Sequence, residues 1–103
     1  MRTVVISQTA RTNFQTLLEQ GAIDFGIAVA EEKARIVDEN IHGYLARYPA
    51  NGFYDKRRKI YAYPVDDTPF TVVYRFDDNE LLVYFIVHKR ADRRRLDPRR
   101  VSW

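Results

Sequence analysis

His88, Arg90, Lys59 and Lys56 are the side chains of this sequence best suited to acid–base chemistry on a phosphate. Attack by a ribose 2′-hydroxyl on its neighbouring phosphate needs one base, one acid and cationic groups to hold the pentavalent intermediate. Histidine titrates near neutrality and the guanidinium fork matches phosphate oxygens, so His88 beside Arg90, with Lys59 and Lys56 as clamps, forms one candidate set. The competing reading makes His88 a strand-end residue hydrogen-bonded to backbone or to Asp92. His42 falls inside a helical stretch and reads as a surface residue.

A second group is defined by charge. Residues 89 to 100 carry seven basic side chains (Lys89, Arg90, Arg93, Arg94, Arg95, Arg99, Arg100) against Asp92 and Asp97, a local balance of +5, while residues 1 to 88 sum to −2. The net charge of +3 therefore describes a polarised molecule, whose local field steers a polyanion or an acidic protein. A further basic run, Lys56-Arg57-Arg58-Lys59, precedes a strand. Beside Tyr54, Tyr61 and Tyr63 it would line a groove suited to nucleic acid, with cations on phosphates and rings on bases. The alternatives are a solvated loop for the run and core packing for the tyrosines. Trp103 at the chain end reads as an anchor docked on the body or on a partner.

These residues need a scaffold. At 103 residues with 46% hydrophobic and 30% charged content, the chain is one folded domain, 1–103, ending in a basic tail, 89–103. It has no cysteine and two histidines, which makes a zinc site improbable and excludes disulfides; no metal or cofactor is expected. No signal peptide and no run of roughly 20 apolar residues is present, so a cytoplasmic location without membrane association is expected.

Thr3 to Ile6 is a short β-branched run. Ser7 and Thr9 are candidate N-caps of a helix through Glu19, with Ala10, Phe14, Leu17 and Leu18 on one face and Gly21 as its stop. A second helix is expected from Gly26 to about Arg47, with Ala30, Ala34, Val37, Ile41 and Leu45 at helical spacing, Gly43 either admitting another backbone or marking a weaker final turn, and Pro49 beyond its end. Three strands follow: Lys59 to Tyr63, Thr68 to Phe76 and Glu80 to His88. In the middle one Phe70, Val72, Tyr74 and Phe76 share a face opposite Thr71, Val73 and Arg75, and the last is apolar on both faces, which suits a central position. The expected fold is α+β, in the order β-α-α-β-β-β, with an antiparallel sheet packed on a helical hairpin.

That order, the opening Ile6-Ser7-Xaa-Xaa-Ala10, the strand Pro69-Phe70-Thr71-Val72-Val73-Tyr74-Arg75 and the ending Ile86-Val87-His88-Lys89-Arg90-Ala91-Asp92 resemble the RelE/ParE superfamily of toxins from bacterial type II toxin–antitoxin systems. The resemblance implies a cognate antitoxin in a hetero-oligomer, and as target either DNA gyrase (ParE branch) or the ribosome with its mRNA, which RelE-like members cleave. For cleavage, Arg90 matches an arginine after the last strand and Lys59 a lysine opening the strand after the hairpin. His88 would take the acid or base role. Thr71 stands where a middle-strand arginine is expected, and Arg95 or Leu96 where a terminal tyrosine is. Two expected groups are thus missing, which favours gyrase poisoning over mRNA cleavage; a non-catalytic nucleic-acid-binding module is the alternative outside toxins. Lys56, Arg57, Arg58, Lys89, Arg93, Arg94 and Arg95 are the residues expected to contact the target.

Overall fold

The computed structural model describes residues 1–103. Strand β1 (Thr3–Ile6) leads into helices α1 (Gln8–Phe25) and α2 (Ile27–Glu39), followed by β2 (Phe53–Asp55), β3 (Ile60–Pro64), β4 (Phe70–Phe76) and β5 (Glu80–His88). The five strands form one sheet in the order β1-β5-β4-β3-β2. The expected α+β hairpin-on-sheet fold is present with two changes. The sheet is mixed, because β1 runs parallel to β5 while the other pairings are antiparallel. An additional strand, β2, forms the far edge; its three residues follow the Asn51-Gly52 break and are too few to show alternation.

Ser7 caps α1. Its Oγ accepts from the Ala10 amide at 2.8 Å and donates to the Tyr84 carbonyl at 2.7 Å, in a position wholly removed from solvent. The helix passes Gly21 and ends at Phe25, six residues beyond the expected Glu19. Gly21 has ordinary helical geometry, and the break falls at Gly26, whose φ of 99° suits a residue without a side chain. The end of the second helical stretch widens over Asn40–Leu45 into a π-helical turn, with the Ala46 amide bonded to the Ile41 carbonyl; no other group approaches Gly43, so of its two readings the weaker final turn holds.

The strand starts also differ from the sequence reading. Lys59 has φ 56° and belongs to the turn before β3. Thr68 precedes β4, where its hydroxyl donates to the Val65 carbonyl and accepts from the Phe70 amide. These are local side-chain bonds that compete with strand pairing.

Both faces of the sheet are packed. On the helix side Phe70, Val72 and Tyr74 of β4 join Ala10, Val37, Ile41, Leu45, Leu81, Val83 and Ile86 in the main core. On the other side Val73 joins Ile60, Ala62, Tyr84, Phe85 and Val87 in a smaller cluster, covered by Leu96 and Val101 of the tail. Between the pairs Val73 with Phe85 and Tyr74 with Val83 the register slips by one residue, so Tyr84 is the extra residue of a β-bulge and shares a face with Phe85.

The Ser7 hydroxyl satisfies the carbonyl at that bulge and the first turn of α1 together. Ser7→Ala leaves both buried groups unpaired, and a loss of about 2–4 kcal/mol is expected. It is measured as a lowered urea midpoint at unchanged slope; a loss under about 0.5 kcal/mol would show that the bulge is held by packing alone.

Candidate functional site: an arginine cleft beneath the C-terminal strap

The basic tail is an ordered strap across the second sheet face. It contains two short 3-10 turns, Arg93–Arg95 and Pro98–Arg100, and each is capped by the aspartate before it. Asp92 accepts from the backbone and guanidinium of Arg94, and Asp97 does the same with Arg99. These bonds, first of all those from the arginine side chains, hold both carboxyls below the ordinary aspartate range. The strap ends against α1: the Thr9 amide donates to the Ser102 carbonyl, and the Ser102 amide donates to Thr9 Oγ1. Trp103 then meets Tyr84 edge to face at 4.8 Å. The tail is thus built of short 3-10 turns, and Trp103 docks on the body.

Between the strap, the β2–β3 loop and β4 lies a cleft of about 450 Å³ lined by Arg57, Arg58, Arg75, Arg94 and Arg99, with Leu96, Asp97 and Pro98. Arg75 organises it. Its Nε donates to the Lys59 carbonyl (2.8 Å), its Nη2 to the Arg58 carbonyl (2.7 Å) and its Nη1 to the Tyr84 hydroxyl (3.3 Å), while the guanidinium lies 5.1 Å from the centre of the Tyr84 ring. It has no carboxylate partner, so its charge is fixed in place and uncompensated. Arg58 bridges Asp55 at 2.9 Å and donates to the Arg94 carbonyl at 2.6 Å, tying loop to strap. The Arg58 side chain also heads the contributions that hold the Asp55 carboxyl below its ordinary range. Arg57 makes no ion pair.

The residues singled out from the sequence therefore divide. Arg57, Arg58 and Arg94 line the cleft; Arg93 lines an adjoining slot; Lys56, Lys89 and Arg95 are exposed and line neither. Arg75 and Arg99 were not among the expected contact residues. Their signals were present, in the outward alternation of Arg75 with Thr71 and Val73 and in the spacing of Asp97-Pro98-Arg99-Arg100, which repeats that of Asp92-Arg93-Arg94-Arg95. Tyr54, Tyr61 and Tyr63 do not line the cleft. Tyr61 sits between Tyr54 and Tyr74 (4.8 and 5.5 Å) and Tyr63 packs on Tyr44 (5.6 Å), on the helix side of the sheet.

His88 and Arg90 stay together at the turn after β5, but Lys59 does not join them. His88 ends β5 opposite Phe70, whereas Lys59 lies beside Arg75, roughly 17 Å away along β4 at the usual strand rise. The Nδ1 of His88 accepts the Arg90 amide at 3.0 Å, which places the proton of the neutral ring on Nε2. Its basic nitrogen is thus engaged in closing the turn after β5, the backbone role considered for it above. The hollow beside His88 is lined by Asn13, Thr16, Leu17 and Ala91, none of them cationic. No group of three or more His, Cys, Asp or Glu side chains is arranged to hold a metal ion, and no helix is long and apolar enough to cross a membrane.

Comparison with known proteins gives a structural likeness without a sequence one. No family model matches the chain, and no curated protein matches it in sequence. A solved chain titled "Chromosomal ParDE TA system from P. aeruginosa" superposes with a TM-score of 0.73 at 13% identity, covering 85% of this chain and 96% of that one. The fold is RelE/ParE-like, as the sequence resemblance implied.

The two depressed carboxyls make the strap acid-sensitive. A group whose pKa is lowered in the folded state contributes stability above its unfolded value, and that contribution disappears as pH falls through the folded one. Below about pH 4 the Asp92 and Asp97 caps should therefore release. Trp103 is the only tryptophan, so its emission should shift to the red before the far-UV circular dichroism changes; coincident transitions would mean that the caps do not hold the strap.

Proposed function

We propose that the protein is the toxin of a type II toxin–antitoxin pair, of the ParE type, arresting growth by poisoning DNA gyrase and neutralised by a cognate antitoxin in a hetero-oligomer. The reading is supported by the fold, which is shared with a chain of a ParDE system. The observation that carries the choice of branch is the distance between His88 and the arginine cleft: the five arginines that converge are at one end of the sheet, and the histidine that would move a proton is at the other, where its sequence neighbours Lys89 and Arg90 are exposed. A surface with fixed charge and no acid–base pair is equipped to hold a target. Arg57, Arg75 and Arg94 present guanidinium groups to acidic side chains of that target, where such pairs act through charge and geometry.

For the antitoxin, the opposite side offers an apolar groove of about 360 Å³. Leu17, Leu18, Phe25, Val29 and Phe70 line it, with Ile23 and Ile27 exposed at the tip of the hairpin. Exposed apolar side chains grouped in this way mark a surface that a partner covers. Ribosome-dependent mRNA cleavage is the second reading, favoured by the same open arginine face.

The test is expression in bacteria without a partner, with DNA synthesis and translation followed separately by pulse labelling. Early loss of DNA synthesis is expected, with His88→Ala as toxic as the parent and the double variant Arg57→Ala, Arg94→Ala at least about tenfold less potent. Early loss of translation with cut mRNA, abolished by His88→Ala, would establish the nuclease in its place. Growth unaffected by the parent protein would rule out a toxin.

A further inference from the structure

The arginine cleft continues into a narrower slot of about 160 Å³ beneath the strap, apolar over most of its lining but also reached by Asp55, Arg58 and Arg93. Its floor is Ile60, Ala62, Val73 and Phe85 of the second sheet face, and Leu96 and Pro98 close it from above. Arg58 lines both spaces, and so do Leu96 and Pro98, so the two are one site with a charged half and an apolar half. Phe53 stands at the slot on edge strand β2 with 69% of its surface exposed, a large ring held out to solvent.

A protein surface carrying acidic side chains would need only the charged half. We propose that the composite site binds a free nucleoside polyphosphate. The phosphates lie among Arg57, Arg75 and Arg99, and the flat base enters the slot over Ala62 and Val73, with Phe53 against its exposed edge. Three features support this occupant. The guanidinium of Arg75 is held by two backbone carbonyls and a ring, so it meets an anion without reorganising. Arg57 has no carboxylate to give up. The slot has room for a single ring system under its strap, which suits one nucleotide better than a strand of stacked bases. Slot and cleft together reach the size of ordinary small-molecule sites, roughly 300–1,000 Å³. The inference is independent of the toxin reading, since it concerns a ligand of the isolated chain and requires no gyrase.

Binding of fluorescently labelled ATP and GTP to the full chain, followed by anisotropy in low salt, tests it, with unlabelled tripolyphosphate, adenosine, guanosine and a short single-stranded oligonucleotide as competitors. The nucleoside triphosphates should compete at least about tenfold better than tripolyphosphate or the nucleosides, because both halves of the site contribute. The double variant Arg57→Ala, Arg99→Ala should weaken nucleotide and tripolyphosphate alike. Phe53→Ala, an exposed change that leaves the core intact, should weaken the nucleotide about fivefold or more and leave tripolyphosphate unchanged. Ala62→Leu, which fills the slot, should do the same in a chain whose circular dichroism shows it folded. Equal competition by tripolyphosphate and nucleotide would overturn the proposal by reducing the cleft to a general anion surface. Stronger competition by the oligonucleotide would assign the site to nucleic acid, and no binding of either labelled nucleotide would refute it outright.

Discussion

The hydroxyl of Ser7 is the point on which the rest of the structure depends. It is fully buried, donates to the Tyr84 carbonyl and accepts the Ala10 amide, while the Ser7 amide bonds the Val83 carbonyl. One residue thereby closes β1 onto β5, starts α1 and hydrogen-bonds the carbonyl of the extra residue in the β5 bulge. A buried carbonyl without a partner costs about 1–3 kcal/mol, so the bulge and the cap stabilise each other. The consequence reaches the far side of the sheet. The bulge turns Tyr84 to the same face as Phe85, and the Tyr84 ring then lies beneath the Arg75 guanidinium and against Trp103. Without the extra residue, strict alternation would put Tyr84 on the other face and leave Arg75 unsupported.

The second face shows how an arginine-rich segment can be ordered. Seven cations within twelve residues would ordinarily stay solvated and mobile, since self-repulsion opposes a compact path. Here Asp92 and Asp97 each stand two residues before an arginine, accept both its backbone amide and its guanidinium, and set a single helical turn. The charge is neutralised locally at the two turns, and Leu96 and Val101 are left to lie on the apolar sheet. The pairs themselves are exposed and worth little as Coulomb attractions. Their contribution is directional, because they fix where the chain turns and so bring Arg94 and Arg99 to the side on which Arg57 and Arg75 stand.

Periodicity showed the two helices, the three long strands, the faces of β4 and the central place of β5, because each is written in local alternation. It did not show the direction of β1, whose pairing with β5 joins residues nearly eighty positions apart, nor β2, which is too short to have a pattern. Gly21 looked like a helix stop because glycine permits a positive φ without demanding one; Gly26 takes the positive φ instead. At the candidate site the basic segments were visible as charge, and Arg57, Arg58 and Arg94 were among those named. What remained hidden was which cations converge. Arg75 was legible only as an outward residue on a strand, and its place in the cleft follows from a strap that returns across the sheet, which no local pattern records. Tyr61 and Tyr63 follow the core-packing alternative, since register puts Tyr54, Tyr61 and Tyr74 in one row and Tyr63 opposite Val72, on the helix side.

The separation of His88 from the cleft bears on what chemistry the fold supports. Proton transfer requires the donor within hydrogen-bond reach of the reacting oxygen, or one water away. Reaching from the end of β5 to the cleft would require moving a strand in the middle of the sheet, held by β1 on one side and β4 on the other. Freeing the basic Nδ1 would also break the bond that closes the turn at Arg90. The arginines cannot substitute, since a guanidinium remains protonated at any pH at which the protein is folded. Asp55 and Asp97, the carboxylates nearest the cleft, are engaged with Arg58 and Arg99 and held ionised by them, which leaves neither with a proton to donate near neutrality. The site is therefore built for anion recognition, with the histidine best suited to proton transfer at the far end of the sheet.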